Sequence, residues 1–208
     1  MTLLLAVSLL ALDAPASGRQ LPPTDQCASD EEFVSFRAAL VDAVERRDSV
    51  HILDVVSNDI HVDFGGGAGR DYFARTWALD RPEDSRLWHE LSEVLRLGCA
   101  PSPDGAYWAP SLFATTEIDD PFSTLLVIRE NAPLHTRPDD RSPMLATLSW
   151  ELVEGVDWQE GDDWWRVRLT DGREGFMRRS DLRSPVDYRA AFERIDGRWR
   201  MTTFIAGD

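Results

Sequence analysis

The residues of this sequence that come closest to a metal-binding set are His51, His61 and Asp63. His61 and Asp63 are two positions apart, so on a β-strand their side chains would lie on the same face. Imidazole and carboxylate groups are common metal ligands. However, the sequence lacks the His-Glu-x-x-His and Cys-x-x-Cys patterns of known sites, and a glycine loop follows at 65–69. We therefore interpret the three residues as solvated and predict no metal site and no cofactor.

A cysteine nucleophile is the second chemical possibility. Cys99 could act in this way if a histidine lay beside it in the fold. Cys27 is the only other cysteine, and in an exported protein such a pair suggests a disulfide bond, which would remove the nucleophile. The G-x-S-x-G motif of serine hydrolases is absent, and the 37 acidic residues are too many for any two to stand out as a glycosidase pair. We therefore predict a Cys27–Cys99 disulfide and no catalytic residues.

Aromatic residues between positions 150 and 176 are the stronger indication of function. Five of them lie close together: Trp150, Trp158, Trp164, Trp165 and Phe176. If Trp164 and Trp165 lie on a strand, their rings must face opposite ways. Trp165 alternates in phase with Val167 and Leu169, so it is the core candidate, and Trp164 faces outward.

An outward-facing Trp164 has two interpretations. In the first it belongs to a recognition surface that suits an amine or guanidinium group of a peptide. That surface would consist of Trp158, Trp164, Phe176, Glu160, Asp162 and Asp163. In the second interpretation, Trp164 packs against the C-terminal part of the chain, residues 188–206.

These aromatic residues lie in a segment that has the pattern of a small all-β unit. Short apolar runs alternate with turn signals, which is typical of small barrels. The predicted strands are residues 125–129, 144–148, 152–158, 164–169 and 175–177, with a polar loop at 132–143 and a single turn at 179–182. Asp171-Gly172 is a strong signal for a hairpin turn with positive φ at both residues.

The order of motifs in this segment resembles that of bacterial SH3 domains. The motifs are Leu-His-Thr-Arg-Pro at 134–138, Ala-Thr-Leu at 146–148, Trp-Trp-Arg-Val-Arg at 164–168 and Asp-Gly-Arg-Glu-Gly-Phe at 171–176. The family usually has Asn-Val-Arg at the positions of 135–137 and a tryptophan at the position of Phe176. The resemblance implies an SH3-like β-barrel over residues 122–184. It also implies an exported bacterial protein that recognises cell-wall peptides or protein partners.

The two ends of the chain predict a second domain of the α+β class. Predicted helices at 29–47, 50–56, 70–79 and 80–97, with Ser29 as the first N-cap, lack a sheet to cover. Strands are predicted at 60–64 and 107–116, and a hairpin with an Asp196-Gly197 turn at 188–206. We predict that residues 27–118 and 186–208 form one α+β domain, with the barrel inserted between them. The helix-first order and the final hairpin faintly resemble cystatin-like and nuclear-transport-factor-like folds.

Charge limits the choice of partner. The chain carries 37 acidic and 22 basic residues, a net charge of −15, and every basic residue is arginine. Such a surface repels polyanions, so nucleic acid is excluded as a partner and anionic membrane surfaces are disfavoured. Cationic or neutral partners are favoured.

The N-terminal sequence predicts export. An apolar run at 3–12 precedes Ala-Pro-Ala at 14–16, which is typical of a signal-peptide cleavage site. The run is too short to span a bilayer, so we predict no membrane span. The basic residues that normally begin a signal peptide are missing, which leaves a merely apolar N-terminus as the alternative to a signal peptide at 1–16.

Three hypotheses about function follow. The leading one is a periplasmic or secreted, non-catalytic binding module of the cell envelope that recognises a peptidoglycan peptide or an envelope protein through the SH3-like barrel. The second is a structural adaptor in which the barrel is a rigid spacer. The third is a small-molecule binder or enzyme that uses a pocket in the α+β domain, lined by Trp77, Trp88 and Tyr107 with His61 at its mouth.

Overall fold

The computed structural model describes residues 18–157 and 161–207, so the predicted signal peptide at 1–16, Trp158 and Glu160 lie outside the described residues. Within these residues the α-helices are α1 (Glu31–Glu45), α2 (Ser49–Val55), α3 (Arg70–Thr76), α4 (Leu87–Arg96) and α5 (Ser111–Thr115). The strands are β1 (Val56–His61), β2 (Ala100–Pro101), β3 (Tyr107–Ala109), β4 (Thr124–Val127), β5 (Ala132–His135), β6 (Met144–Leu148), β7 (Leu152–Asp157), β8 (Trp164–Arg168), β9 (Glu174–Arg178), β10 (Leu182–Arg183), β11 (Arg189–Ile195) and β12 (Arg198–Ile205). Helix and sheet are both substantial, which confirms the α+β class.

The first sheet joins the two ends of the chain. Its strand order is β1-β12-β11-β3-β2, so the C-terminal hairpin β11–β12 lies between strands that precede the second sheet in the chain. β12 pairs in parallel with β1, and β11 pairs antiparallel with β3. The prediction that the final hairpin completes the helical N-terminal region is therefore confirmed. We call α1–α5 with β1–β3, β11 and β12 the helix–sheet unit.

Helix α1 covers one face of this sheet because its apolar residues recur at helical spacing. Phe33, Leu40 and Val44 are buried in one cluster with residues of β12. The Asp30 side chain caps the helix by accepting a hydrogen bond from the backbone N–H of Phe33 at 2.9 Å. The predicted N-cap, Ser29, was therefore wrong by one residue, since Asp30 places an ionised acceptor at the same turn.

Two details of the helix–sheet unit differ from the sequence prediction. The predicted strand at 107–116 ends at Ala109, because Pro110 has no N–H to donate to a ladder, and α5 follows. Strict alternation along the second strand of the predicted hairpin would place Thr203 on the same face as Trp199 and Met201. Thr202 is an extra residue between the pairs Phe192↔Met201 and Ala191↔Thr203, so Phe204 rather than Thr203 enters the core.

A disulfide bond between Cys27 and Cys99 fixes the start of the described chain to the end of α4. The Cα atoms are 5.7 Å apart, and both residues are buried. Backbone hydrogen bonds from Gln26 N–H to the Cys99 carbonyl, 2.8 Å, and from Cys99 N–H to the Thr24 carbonyl, 2.9 Å, flank it. The bond confirms the predicted pairing and is consistent with an exported protein.

The second sheet is formed by residues 124–183 alone, in the order β10-β4-β7-β8-β9-β5-β6. We call β4–β10 the seven-stranded unit. Its first and last strands, β4 and β10, are paired with each other, so the chain enters and leaves the unit at one place. β5 lies within the segment predicted as a loop at 132–143. Pro133 and the polar residues around it obscure the strand pattern, although Ala132 and Leu134 are buried in the core.

A small apolar cluster joins the two units. Leu97 at the end of α4 packs with Leu126 and Ile128 of the seven-stranded unit. Two hydrogen bonds add to this contact: one from the Leu21 N–H to the Trp150 carbonyl, 2.6 Å, and one from Arg96 Nη1 to the Ile128 carbonyl, 3.3 Å.

Candidate binding surface

Strand pairing decides which aromatic side chains of the seven-stranded unit face outward. In the antiparallel pair β8–β9, Trp164 lies opposite Arg178, and Arg166 lies opposite Phe176. Trp165 is in the buried core of the unit, whereas Trp164 and Phe176 are partly exposed. Because side chains alternate along a strand, Trp164, Phe176 and Arg178 share the outer face. The prediction that Trp165 faces inward and Trp164 outward is confirmed.

The Trp164 ring is held by two neighbours from its own sheet. The guanidinium carbon of Arg178 lies 4.3 Å from the ring centroid, within the range of a cation–π interaction. The His135 ring meets the indole edge-on, with centroids 5.4 Å apart. These contacts hold the indole against its own sheet and leave it partly exposed.

Arg178 is fixed in turn by Asp140 in the loop after β5. Its Nε lies 3.3 Å from Asp140 Oδ1, and its Nη2 donates to Oδ2. The hydrogen bond from Arg178 holds the pKa of Asp140 below its usual range, and the same bond raises the pKa of Arg178. Both groups therefore stay charged, and a two-point contact of this kind orients the guanidinium plane.

His135 links this loop to the tryptophan. The imidazole is buried, with Nδ1 3.1 Å from the carbonyl oxygen of Ser142. A carbonyl can only accept, so this contact requires the proton on Nδ1. The Ser142 hydroxyl donates to the carbonyl of Arg137 at 3.0 Å and closes the loop that carries Asp140.

The predicted acidic residues lie beside this arrangement. Asp162 and Asp163 are exposed and immediately precede Trp164, while Trp158 and Glu160 fall outside the described residues. We use the name Trp164 surface for Trp164, Phe176, Arg178, Asp140, Asp162 and Asp163. Sequence reasoning missed Arg178 and Asp140. The sequence could have indicated Arg178, because it follows Phe176 by two positions on the same strand and therefore lies on the same face. The sequence could not have indicated Asp140, because its contact with Arg178 depends on the tertiary fold.

The rest of the same face is also charged but internally paired. Glu174 accepts contacts from Arg166 at 2.5 Å and from Arg168 at 2.8 Å, and Arg168 also lies 2.6 Å from Glu154. The face therefore carries both signs of charge instead of the uniformly acidic character that the sequence around Trp164 suggests. Such a surface can contact a peptide that bears both amino and carboxylate groups.

His61 and Asp63, two of the three metal candidates, do not converge on a site. His61 is exposed. Asp63 closes the glycine loop by accepting hydrogen bonds from Gly67 N–H, 2.8 Å, and Tyr72 Oη, 2.7 Å. The bond from Tyr72, followed by that from Gly67, lowers the pKa of Asp63. Within residues 18–157 and 161–207, no group of three His, Cys, Asp or Glu side chains could hold a metal ion.

The aromatic residues proposed to line a pocket in the α+β domain pack in its core. Trp77 and Trp88 are buried members of the main cluster. The Tyr107 ring packs against Phe33 and Trp199, at centroid distances of 4.8 and 4.7 Å. These rings fill the space that the pocket would need.

In the part of the chain that the structure describes, no helix has the length and apolar character needed to cross a membrane. Comparison with models of protein families, with curated proteins and with solved structures gives no match to this chain.

Proposed function

We propose that this protein is a periplasmic or secreted, non-catalytic binding protein. Its seven-stranded unit, an SH3-like barrel in this proposal, recognises a cell-wall peptide or an envelope protein through the Trp164 surface. The observation that carries the proposal is a partly exposed tryptophan stacked with Arg178, which Asp140 holds in place. Such an arrangement is organised before any ligand arrives.

Preorganisation matters because binding otherwise costs the entropy of ordering long side chains. Tryptophan and arginine are also the residue types that most often dominate binding energy at interfaces. Here the arginine is ordered by a carboxylate in the absence of any partner, so little further ordering is required when a ligand binds. The aromatic pair Trp164 and Phe176 supplies the apolar contact area.

The charges around the aromatic pair favour a peptide over other ligands. A ligand carboxylate can approach the partly exposed Arg178 guanidinium, and a ligand amine can approach the exposed Asp162 and Asp163. Peptides of the bacterial cell wall carry both groups. The net charge of −15 disfavours a polyanionic ligand at the same place.

The chemistry of the surface favours binding over catalysis. Arginine keeps its proton throughout the physiological pH range, and contact with Asp140 raises the pKa of Arg178 further. A general acid or base needs a pKa near the working pH. Trp164, Phe176 and Arg178 can therefore hold a ligand but do not transfer protons.

The proposal is tested by sedimentation with purified peptidoglycan and by calorimetry with soluble cell-wall peptides. Wild-type protein should co-sediment, and Trp164→Ala should lose most of the binding. Phe122→Ala is the matched control, because Phe122 is an exposed aromatic residue, 61% accessible, outside the Trp164 surface. If neither wild type nor control binds the wall or its peptides, the cell-wall version is wrong; equal binding by Trp164→Ala would remove the surface from the proposal.

A further inference from the structure

A second concave site lies where the two units meet. This junction cleft has a volume of about 420 Å³ and is formed by five separate parts of the chain. They are the extended residues at 20–26, the end of α4, the start of α5 with the linker after it, β4, and the segment from β10 into β11. The volume falls within the usual range for small-molecule sites, about 300–1,000 Å³.

The walls of the junction cleft are mainly apolar. Leu21, Leu112, Phe113, Ile118 and Val186 all line it and come from three of these five parts. Phe113 remains 44% exposed, an unusual position for a large apolar ring. These side chains provide contact area for a hydrocarbon or aromatic group.

The formal net charge of the cleft lining is positive, whereas that of the whole chain is negative. The charged residues of the lining are Arg183, Asp187 and Arg189, two cations and one anion in a chain of net charge −15. Both arginines are buried, with 8% and 6% of their surface accessible. Arg183 therefore gives the lining a buried cationic hydrogen-bond donor that a carboxylate could meet.

The buried charge of Arg183 is only partly compensated. Its Nη2 donates to the Tyr188 carbonyl, but Asp187 Oδ2 is 3.9 Å from Nη1, beyond hydrogen-bonding distance. Burial is the largest influence on the pKa of Arg183 and lowers it, against the opposing attraction of Asp187, Glu90 and Glu93. A further carboxylate at hydrogen-bonding distance would offset the cost of burying the guanidinium.

Arg189 supports the apolar wall. Its guanidinium carbon lies 4.7 Å from the Phe113 ring centroid and 5.6 Å from that of Phe64, and Nη1 donates to the Gly207 carbonyl at 2.9 Å. These contacts hold Phe113 at the rim of the junction cleft. Arg189 therefore holds part of the apolar wall in place.

We propose that the junction cleft binds a small amphipathic carboxylate. The carboxylate pairs with Arg183, and the apolar part of the ligand packs on Leu21, Phe113 and Ile118. The site is formed by different residues from the Trp164 surface, so the two binding activities are separable.

The test uses decanoate as the probe and the full chain, with calorimetry at concentrations below micelle formation. Decylammonium has the same chain with the opposite charge and is the matched control ligand. We expect decanoate to bind at least about tenfold more tightly, because a single charged hydrogen-bonded contact is worth that much. Failure of decanoate to bind, or equal affinity for the two ligands, would overturn the proposal.

Variants separate the charge from the shape of the junction cleft. Arg183→Gln should lose at least tenfold in decanoate affinity. Arg183 also bonds the Tyr188 carbonyl, so Ile118→Trp, which fills the cleft and keeps Arg183, is the second variant and should abolish binding. Arg129→Gln is the control, since Arg129 pairs with Asp181 outside the cleft lining. Undiminished binding by Arg183→Gln or by Ile118→Trp contradicts the proposal, whether or not the other variant folds.

Discussion

Trp199 of the helix–sheet unit and Trp164 of the seven-stranded unit have the same kind of neighbours in their sheets. Each lies directly opposite an arginine on the neighbouring strand, Arg194 and Arg178 respectively. Each arginine stacks on its tryptophan, at 5.1 and 4.3 Å from the ring centroid. In both cases a carboxylate from another element holds the arginine: Glu32 for Arg194, at 2.6 Å, and Asp140 for Arg178.

The two tryptophans differ in what lies above the sheet. Helix α1 covers the face that carries Trp199, so the indole packs against Phe33 at 4.9 Å and is only 8% exposed. Trp164 has the small His135 ring at its edge and stays partly exposed. The same Trp–Arg–carboxylate arrangement is therefore part of the core where a helix packs on it. On the other sheet it remains partly exposed, which is why we propose a binding role for Trp164 and expect a stabilising role for Trp199.

Alanine substitution at the two positions should give the largest difference. Trp199→Ala removes a buried ring with several aromatic neighbours and should cost roughly 3–5 kcal/mol in the free energy of unfolding. Trp164→Ala removes a partly exposed ring and should cost about 1 kcal/mol or less. Urea denaturation measures both. Similar losses for the two variants would show that Trp164 is a structural residue and would remove the contrast.

Removal of the disulfide bond should also affect the two units differently, because the bond lies in the helix–sheet unit alone. Replacing both Cys27 and Cys99 by alanine should destabilise that unit by roughly 2–4 kcal/mol, because the unfolded chain gains the freedom of a long loop. Hydrogen exchange should then rise in α1 and α4, while β8 and β9 keep their protection. A uniform rise across both units would mean that they unfold as one.

Much of the contrast between the units could be predicted from the sequence, because it depends on the alternation of side chains along strands and on turn sequences. Alternation along a strand placed Trp165 inward and Trp164 outward. The Asp196-Gly197 turn has positive φ at both residues, as its sequence predicts. The prediction of a turn at Asp171-Gly172 was right, but its type was wrong, because of these two residues only Gly172 has a positive φ. The Leu169 N–H donates a hydrogen bond to the Arg173 carbonyl, and the Gly172 N–H donates one to the Leu169 carbonyl.

The remaining features depend on contacts between distant parts of the chain, which a single sequence does not encode locally. Asp140 and Arg178 are 38 positions apart and meet only because β5 pairs with β9. The strand β5 itself was missed because Pro133 interrupts its pattern. The junction cleft needs five separated segments, so no motif could have indicated it.

Acidification tests the contacts among Trp164, Arg178 and Asp140, and we expect it to have the smallest effect of the three changes. The folded pKa of Asp140 is lower than its unfolded value, since Arg178 hydrogen-bonds the ionised form. The pair is therefore fully present above the unfolded pKa of about 3.9 and is lost as the pH falls through the lower folded value. The indole N–H resonance of Trp164, followed by NMR, should shift in that acidic window.

In Asp140→Asn the resonance should already be displaced at neutral pH and should not titrate with this group. An unchanged wild-type resonance down to acid unfolding would mean that Asp140 does not hold Arg178 over the ring, and the Trp164 surface would lose the preorganisation on which its proposed role depends.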